Sequence, residues 1–388
     1  MLRFLTAGES HGPALTAILE GLPAGLSVDQ EELDRQLSRR QKGYGSGGRM
    51  RIERDRVSLT GGVMNGRTTG APVAMQIENR DWANWRERDI PPMTIPRPGH
   101  ADLTGALKYG YRDLRLALER ASARETAARV AVGALCRSLL AQFDISIGSY
   151  VIQIGPVQAA LPDDPDYPTL FAAAEKNEVR CPDPAATQEM QTCIRDAMSD
   201  RDSLGGVFEV VCLGVPPGLG SHVHWDRRLD ARLMGAVGSI QAIKGVEIGP
   251  AFENSALTGT RVHDEIFVQE GQLVRHTNRA GGLEGGITTG QPVVVRAAMK
   301  PIPTTLTPLR SVDLATGEPG ETRYERSDIC AVPRAAVVGE AMVAFVLAGA
   351  LLDKLGGDSL DEMRPRFAAL RRGALDDLEM DNAEWRIQ

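Results

Sequence analysis

Pro96-Arg97-Pro98-Gly99-His100-Ala101-Asp102 sets an arginine, a histidine and an aspartate on one short stretch. Proline pins φ near −65° and pushes the residue before it toward extended geometry, so this is a stiff, non-helical loop. A loop so constrained holds side chains in place rather than filling a core. A second histidine, His11, sits in Gly8-Glu9-Ser10-His11-Gly12. An unperturbed imidazole titrates at about 6.5, so histidine can both give and take a proton near neutrality. Glycines beside each one permit close approach of a ligand. The other four, His222, His224, His263 and His276, fall in loops or at strand ends and read as structural. His222-Val223-His224 is the one H-x-H in the chain, and no metal is expected there.

Arginines gather in a few places: Arg39, Arg40, Arg49 and Arg51 around the glycine-rich 43–48 loop, Arg97, then Arg120, Arg124 and Arg129, and finally Arg323, Arg326 and Arg334. Their forks match phosphate and carboxylate oxygens. Arg51 and Arg323 fit a solvated surface equally well. Arg120-Ala121-Ser122-Ala123-Arg124-Glu125-Thr126 does not, because small residues and arginines at a helix start make an anion site. On one continuous helix Arg120 and Arg124 would share a face. Lys300-Pro301-Ile302-Pro303-Thr304-Thr305 offers an ammonium, two hydroxyls and rigid exposed backbone. In Arg326-Ser327-Asp328 the arginine favours an ionised aspartate, able to accept a hydrogen bond or a proton.

These residues need a frame, and the chain carries signs of a repeated one. Gly61-Gly62-Val63-Met64-Asn65-Gly66-Arg67-Thr68-Thr69-Gly70-Ala71-Pro72-Val73 aligns with residues 281–293 at a constant offset of 220, with eight of thirteen positions identical. Gly21-Leu22-Pro23-Ala24-Gly25-Leu26 likewise resembles Gly214-Val215-Pro216-Pro217-Gly218-Leu219, and helical stretches at 29–40 and 226–237 follow them. Strands are expected at 15–20, 51–59, 72–78, 206–213, 265–268 and 292–299, in mostly antiparallel sheets. Two long helices are expected at 118–143 and 335–355. The second is apolar nearly all round, so it must be covered on every side. The expected fold class is α+β: an internally duplicated β-α-β sandwich with a helical core between two mainly antiparallel sheets. One domain over 1–388 would comprise halves at about 1–145 and 203–355, a surface insertion at 156–202 around a short 170–176 helix, and a C-terminal tail at 356–388. No G-x-G-x-x-G follows a strand, which disfavours a Rossmann fold.

Composition narrows the function. The 388 residues are 42% apolar and 24% charged, enough for a sizeable core. A net charge of −7 and only 5% aromatics argue against nucleic-acid binding, by phosphate neutralisation or by base stacking. Local basic sites in an acidic chain suit a small anionic ligand. Five scattered cysteines without C-x-x-C spacing read as reduced thiols of a cytoplasmic protein. Neither a leader nor a membrane span is expected, since the 335–352 run is interrupted by Glu340. A phosphoryl transferase is disfavoured by the lack of G-x-x-x-x-G-K-[ST]. A non-catalytic receptor for a phosphorylated metabolite stays as the alternative to an enzyme.

Gly8-Glu9-Ser10-His11-Gly12, Arg97-Pro98-Gly99-His100-Ala101-Asp102, Ser122-Ala123-Arg124-Glu125-Thr126-Ala127 and Arg326-Ser327-Asp328 together resemble the chorismate synthase family, in order from residue 1 to about 355. The resemblance implies a lyase that eliminates phosphate from 5-enolpyruvylshikimate 3-phosphate to give chorismate. It also implies a requirement for reduced FMN without net redox change, and a cytoplasmic homotetramer. Whether NADPH serves as reductant or an external reductase does so is left open. By the same resemblance His11 would protonate the leaving phosphate, His100 would balance charge at the flavin, and Asp328 would relay a proton. Arg40, Arg49, Arg124 and Arg326 would grip the substrate. Flavin contacts would fall to Arg40, Ser46, Arg120, Ala121, Ser122, Gln241, Ala242, Gly285, Lys300, Pro301, Ile302, Pro303, Thr304 and Arg326. Ser46 departs from the family, whose glycine-rich loop commonly has arginine there; Arg49 lies close by in sequence.

Overall fold

The computed structural model of the chain describes residues 1–46, 53–323 and 327–381. It begins with β1 (Arg3–Ala7) and β2 (Ala14–Glu20), where burial alternates because successive strand side chains point to opposite faces. Helix α1 (Gln30–Gln41) is capped by the Asp29 carboxylate, which accepts from the Glu31 N–H. There follow β3 (Val57–Gly61), the hairpin of β4 (Val63–Met64) and β5 (Arg67–Thr68), and β6 (Val73–Glu78). An antiparallel sheet forms in the order β1-β2-β6-β3.

Helices α2 (Asp102–Tyr109), α3 (Arg115–Ala121) and α4 (Thr126–Ala141) lead away from it. The single helix expected at 118–143 is interrupted. Ser122 takes an extended conformation (φ −62°, ψ 139°) and its hydroxyl accepts from the Arg124 N–H, opening a 3-10 turn at Ala123–Glu125. Serine competes with helix by bonding nearby backbone in this way. Apolar spacing on both sides of the break conceals it in the sequence.

The second sheet comprises β7 (Ser146–Ile154), β8 (Val157–Gln158), β9 (Gly206–Leu213), β10 (Ile243–Ile248) and a later strand. Helices α5 (Tyr167–Glu175) and α6 (Pro184–Ser199) interrupt it before β9, and α7 (Leu229–Gly238) precedes β10. Two single-turn helices, α8 (Ala251–Asn254) and α9 (Gly259–Val262), lead to the hairpins β11 (Ile266–Gln269) with β12 (Gln272–Arg275) and β13 (Leu283–Glu284) with β14 (Ile287–Thr288). Strand β15 (Val293–Met299) completes the antiparallel order β10-β15-β9-β7-β8. A small hairpin of β16 (Arg310–Val312) and β17 (Pro319–Glu321) precedes α10 (Val332–Leu355) and α11 (Leu360–Ala368).

Helix α4 lies on β2 and β6, α10 lies on β7 and β9, and the two helices pack along each other. By length and composition α10 could cross a membrane, but it is largely buried inside this fold. Its contact with α4 is close enough that a Cβ on Gly133 would stand 2.4 Å from the Ala341 Cα. Gly133→Ala is therefore expected to destabilise the protein by about 1–3 kcal/mol through overpacking, measurable as a lower urea midpoint.

Two expectations need correction. The 156–202 segment is more than surface elaboration: its Arg180 is buried, and Met190 and Ile194 of α6, a helix the sequence did not reveal, belong to the main core. Phe171 and Leu170 of α5 cover Tyr150, Val211 and Val294 on the other face of the second sheet. The 356–388 tail also contributes, through buried Leu360 and Met363 of α11.

The matching glycine-rich segments form matching structures. Thr68 Oγ1 donates to Pro23 O (2.6 Å) and accepts from the Leu26 N–H (3.0 Å). Thr288 Oγ1 donates to Pro216 O (2.7 Å) and accepts from the Leu219 N–H (2.8 Å). Gly62 and Gly282 both have positive φ, 81° and 78°, and a Cβ on either would strike a proline carbonyl at 2.4 Å.

Candidate active site

A cavity of about 700 Å³ opens where the loop after β1, the 79–102 segment, the α3–α4 junction, the end of β15 and the start of α10 converge. That volume is within the range of small-molecule sites, about 300–1,000 Å³. His11, His100, Arg40, Arg124 and Asp328 all line it.

His11 is held from three directions. Its ring Nδ1 lies 2.8 Å from Glu119 Oε1, its backbone N–H donates to Glu119 Oε2 (2.7 Å), and Trp85 packs on the ring with centroids 4.2 Å apart. Burial works against the charge of Glu119, but the His11 ring and backbone N–H together, with the charge of Arg115, outweigh it and hold the carboxyl below the usual carboxylate range.

His100 has a comparable anchor. Its Nδ1 lies 2.5 Å from Asp102 Oδ1, and Asp102, fully buried, also accepts from Arg97 Nε (2.8 Å) and Nη2 (3.0 Å). Burial opposes ionisation of Asp102; hydrogen bonds from His100 and Arg97 overcome it and keep the carboxyl well below its ordinary range. Arg97 Nη1 reaches Thr304 Oγ1 (3.2 Å), and Lys300 Nζ donates to Gly99 O (2.6 Å). The proline-framed loop is thus tied to the cavity-lining segment that follows β15.

The arginines concentrate positive charge out of water. Arg124 grips Asp55 through Nη1 (2.6 and 2.7 Å) and Asn79 Oδ1 through Nε (2.8 Å), while Arg40 shares the same Asp55 (2.9 Å). Arg334, paired with Asp328, also lines the cavity. Burial, reinforced by the charge of Arg40, pushes the Arg334 guanidinium down to about 9. Burial likewise lowers Arg40, with Asp55 opposing it and Arg124 adding to it. Arg40 Nε is buried with no hydrogen-bond partner among the described residues. Crowded buried guanidinium groups with a donor to spare are a receptor for an added anion.

The remaining expectations divide. Ala121, Ser122, Gln241, Ala242, Lys300, Ile302, Pro303 and Thr304 line the cavity. Gln241 Nε2 reaches Glu125 (3.3 Å), while its buried Oε1 has no partner among the described residues. Arg120, Pro301, Gly285 and Ser46 do not line it. The break at Ser122 sends Arg120 away from Arg124, to Thr6 O (2.8 Å) at the exposed rim. Pro301 turns outward, Gly285 sits in the β13–β14 turn near His222, and the Ser46 hydroxyl donates to Gly43 O. Arg49 and Arg326 lie outside the described residues, as does Arg51. Sequence reasoning missed Glu119, Asp55, Asn79 and Trp85, all brought in from a distance. Asp102, two residues from His100, was legible as a neighbour.

An α+β protein with two carboxylate-anchored imidazoles and buried arginines around one cavity is built to act on a small anionic molecule. Residues 2–352 match the family model for chorismate synthase. The chorismate synthase of Trichlorobacter lovleyi is 59% identical over 380 residues, covering 94% of this chain and 97% of that protein. That of Aquifex aeolicus is 55% identical over 383 residues, covering 94% and 96%. A crystal structure of a chorismate synthase superposes with a TM-score of 0.79 at 48% identity, covering 95% of this chain and 96% of that one. The chain belongs to the chorismate synthase family.

Proposed function

We propose that this cavity performs the chorismate synthase reaction, the 1,4-elimination of phosphate from 5-enolpyruvylshikimate 3-phosphate to give chorismate. The observation that carries this reading is the convergence of His11, His100, Asp328, Arg40 and Arg124 on one cavity. A phosphate and carboxylates would find their partners in Arg40 and Arg124, with the unpaired Arg40 Nε as a ready donor. Arg49 and Arg326 join this grip by resemblance.

The residues present fit a flavin. Gln241 has an orphaned buried acceptor for a ring N–H, and Lys300, Ile302, Pro303 and Thr304 line the cavity together with Ala121, Ser122 and Ala242. When bound, reduced FMN supplies transient electron density that eases departure of an allylic phosphate, with no net oxidation. His11 gives a proton to the departing phosphate. With Nδ1 engaged by Glu119, this exchange runs through Nε2. His100, coupled to Asp102 and Arg97, balances negative charge at the flavin. Asp328, released from Arg334 as ligands enter, relays the proton taken from substrate carbon. The active unit is a cytoplasmic homotetramer, and the paired hydrogen bonds of Thr68 and Thr288 support an ancestral duplication of the two halves.

A receptor would need the arginines but not two imidazoles each fixed by a carboxylate. Anaerobic incubation with the enolpyruvyl substrate and dithionite-reduced FMN should release phosphate and form chorismate in equal amounts. Release that proceeds equally with oxidised FMN, or only with ATP, would defeat the reading.

A further inference from the structure

We infer that Glu119 is a positioning residue that sets the tautomer of His11, keeping the proton on Nδ1 so that Nε2 can exchange a proton with the ligand. This inference rests on the role given to His11 above. One carboxylate serves two donors of the same residue: Oε2 takes the His11 backbone N–H at 2.7 Å and Oε1 faces the ring Nδ1 at 2.8 Å. The Ser10 N–H adds a third tie, to the Glu119 carbonyl (3.1 Å). Because the backbone N–H can only donate, it fixes which way the group at position 119 must present an oxygen. An ionised carboxylate has a second acceptor left for the ring, so the ring must bring a hydrogen to Nδ1. Trp85 against the ring face leaves little room for the imidazole to escape this geometry by rotation.

The same logic makes the amide variant informative. In Glu119→Gln the single side-chain oxygen is claimed by the backbone N–H, and the NH₂ group then faces Nδ1. Nδ1 must accept, so the proton moves to Nε2. Protonating the ring fully would set two donors against each other. His11 in that variant can neither hold nor cycle the proton as before, although size and packing are nearly unchanged. Loss of the correct histidine tautomer by such an exchange costs about 10⁴-fold in a well-studied serine-protease triad. A weaker demand on the imidazole here sets the expectation at about 10²-fold or more in kcat, with KM changed less than about threefold.

The test combines kinetics with a readout that needs no turnover. Nitrogen-15 NMR of the histidine rings at pH 8, with the His11 signals assigned by their loss in His11→Ala, should show Nδ1 protonated in the wild type. It should show Nε2 protonated in Glu119→Gln. Glu119→Asp retains two acceptor oxygens and should keep the wild-type tautomer and more activity than the amide. In a His11→Ala background Glu119→Gln should lower the rate by less than about threefold further. An unchanged tautomer in Glu119→Gln, a kcat within threefold of wild type, or an equal loss in the His11→Ala background would overturn the inference. Full activity of His11→Ala would instead overturn the role of His11, while the tautomer measurement still decides what Glu119 does to the ring.

Discussion

His11→Ala is expected to fold and to lower anaerobic turnover by about 10²–10⁴-fold, the usual worth of a positioned general acid. The ring lines the cavity, is packed on Trp85, and is fixed through Nδ1 by Glu119, so the alanine removes one proton donor without exposing a core residue. His100→Ala should also lose most turnover, but with a structural component. Asp102 would keep its bonds to Arg97 while losing the one to the ring. Circular dichroism and flavin binding separate folding from chemistry in both variants. A His11→Ala rate close to wild type would remove the proposed phosphate protonation from this residue.

The second large effect concerns stability. Glu340 lies inside α10, fully buried, and accepts from Arg39 (2.6 and 2.8 Å), Arg137 (2.7 Å), Arg180 (3.3 Å) and Ser149 (2.5 Å). These groups come from α1, α4, the segment before α6, and β7, so one carboxylate fastens four parts of the fold to the central helix. Burial opposes its ionisation, yet the arginines, Arg39 foremost, bring it down to about 2. Glu340→Gln should cost about 3–5 kcal/mol at pH 7, because several buried guanidinium groups lose their shared anion. The sign of the pH dependence follows from the folded carboxyl titrating below the unfolded value of about 4.3. Its stabilisation is complete above that value and is lost as pH falls toward about 2. Urea unfolding of wild type and variant should therefore differ most at pH 7 and converge through that acid window. A gap that stays constant down to acid pH would contradict an ionised Glu340.

Local chemistry was legible in the sequence, and distant pairing was not. The Pro96–Asp102 loop could be read because proline restricts its own backbone, and His100, Arg97 and Asp102 are within reach of one another along the chain. The likeness of the two glycine-rich segments could be read because they repeat in sequence, whereas the threonine ties inside each could not. Glu119 carried no signal: it sits on a short helix among residues that read as an ordinary helical face, 108 positions from His11. Asp55 and Asn79 were equally silent, since only the folded sheet brings them to Arg124. Helix α6 was hidden by prolines, one of which begins it (Pro184) rather than breaking it. Arg120 was misplaced because helical periodicity ran through a serine that ends the helix.

The claim on which the rest depends is that flavin and substrate share the cavity lined by His11, His100 and Arg124 and touch one another there. Titrating oxidised FMN by fluorescence, with and without saturating 5-enolpyruvylshikimate 3-phosphate, tests it most directly. The expected result is a dissociation constant at least about fivefold lower with substrate present, with the coupling reduced in Arg124→Ala, since a shared site makes each ligand part of the other's binding surface. Identical affinities with and without substrate would mean that the two ligands do not meet, and would contradict the account.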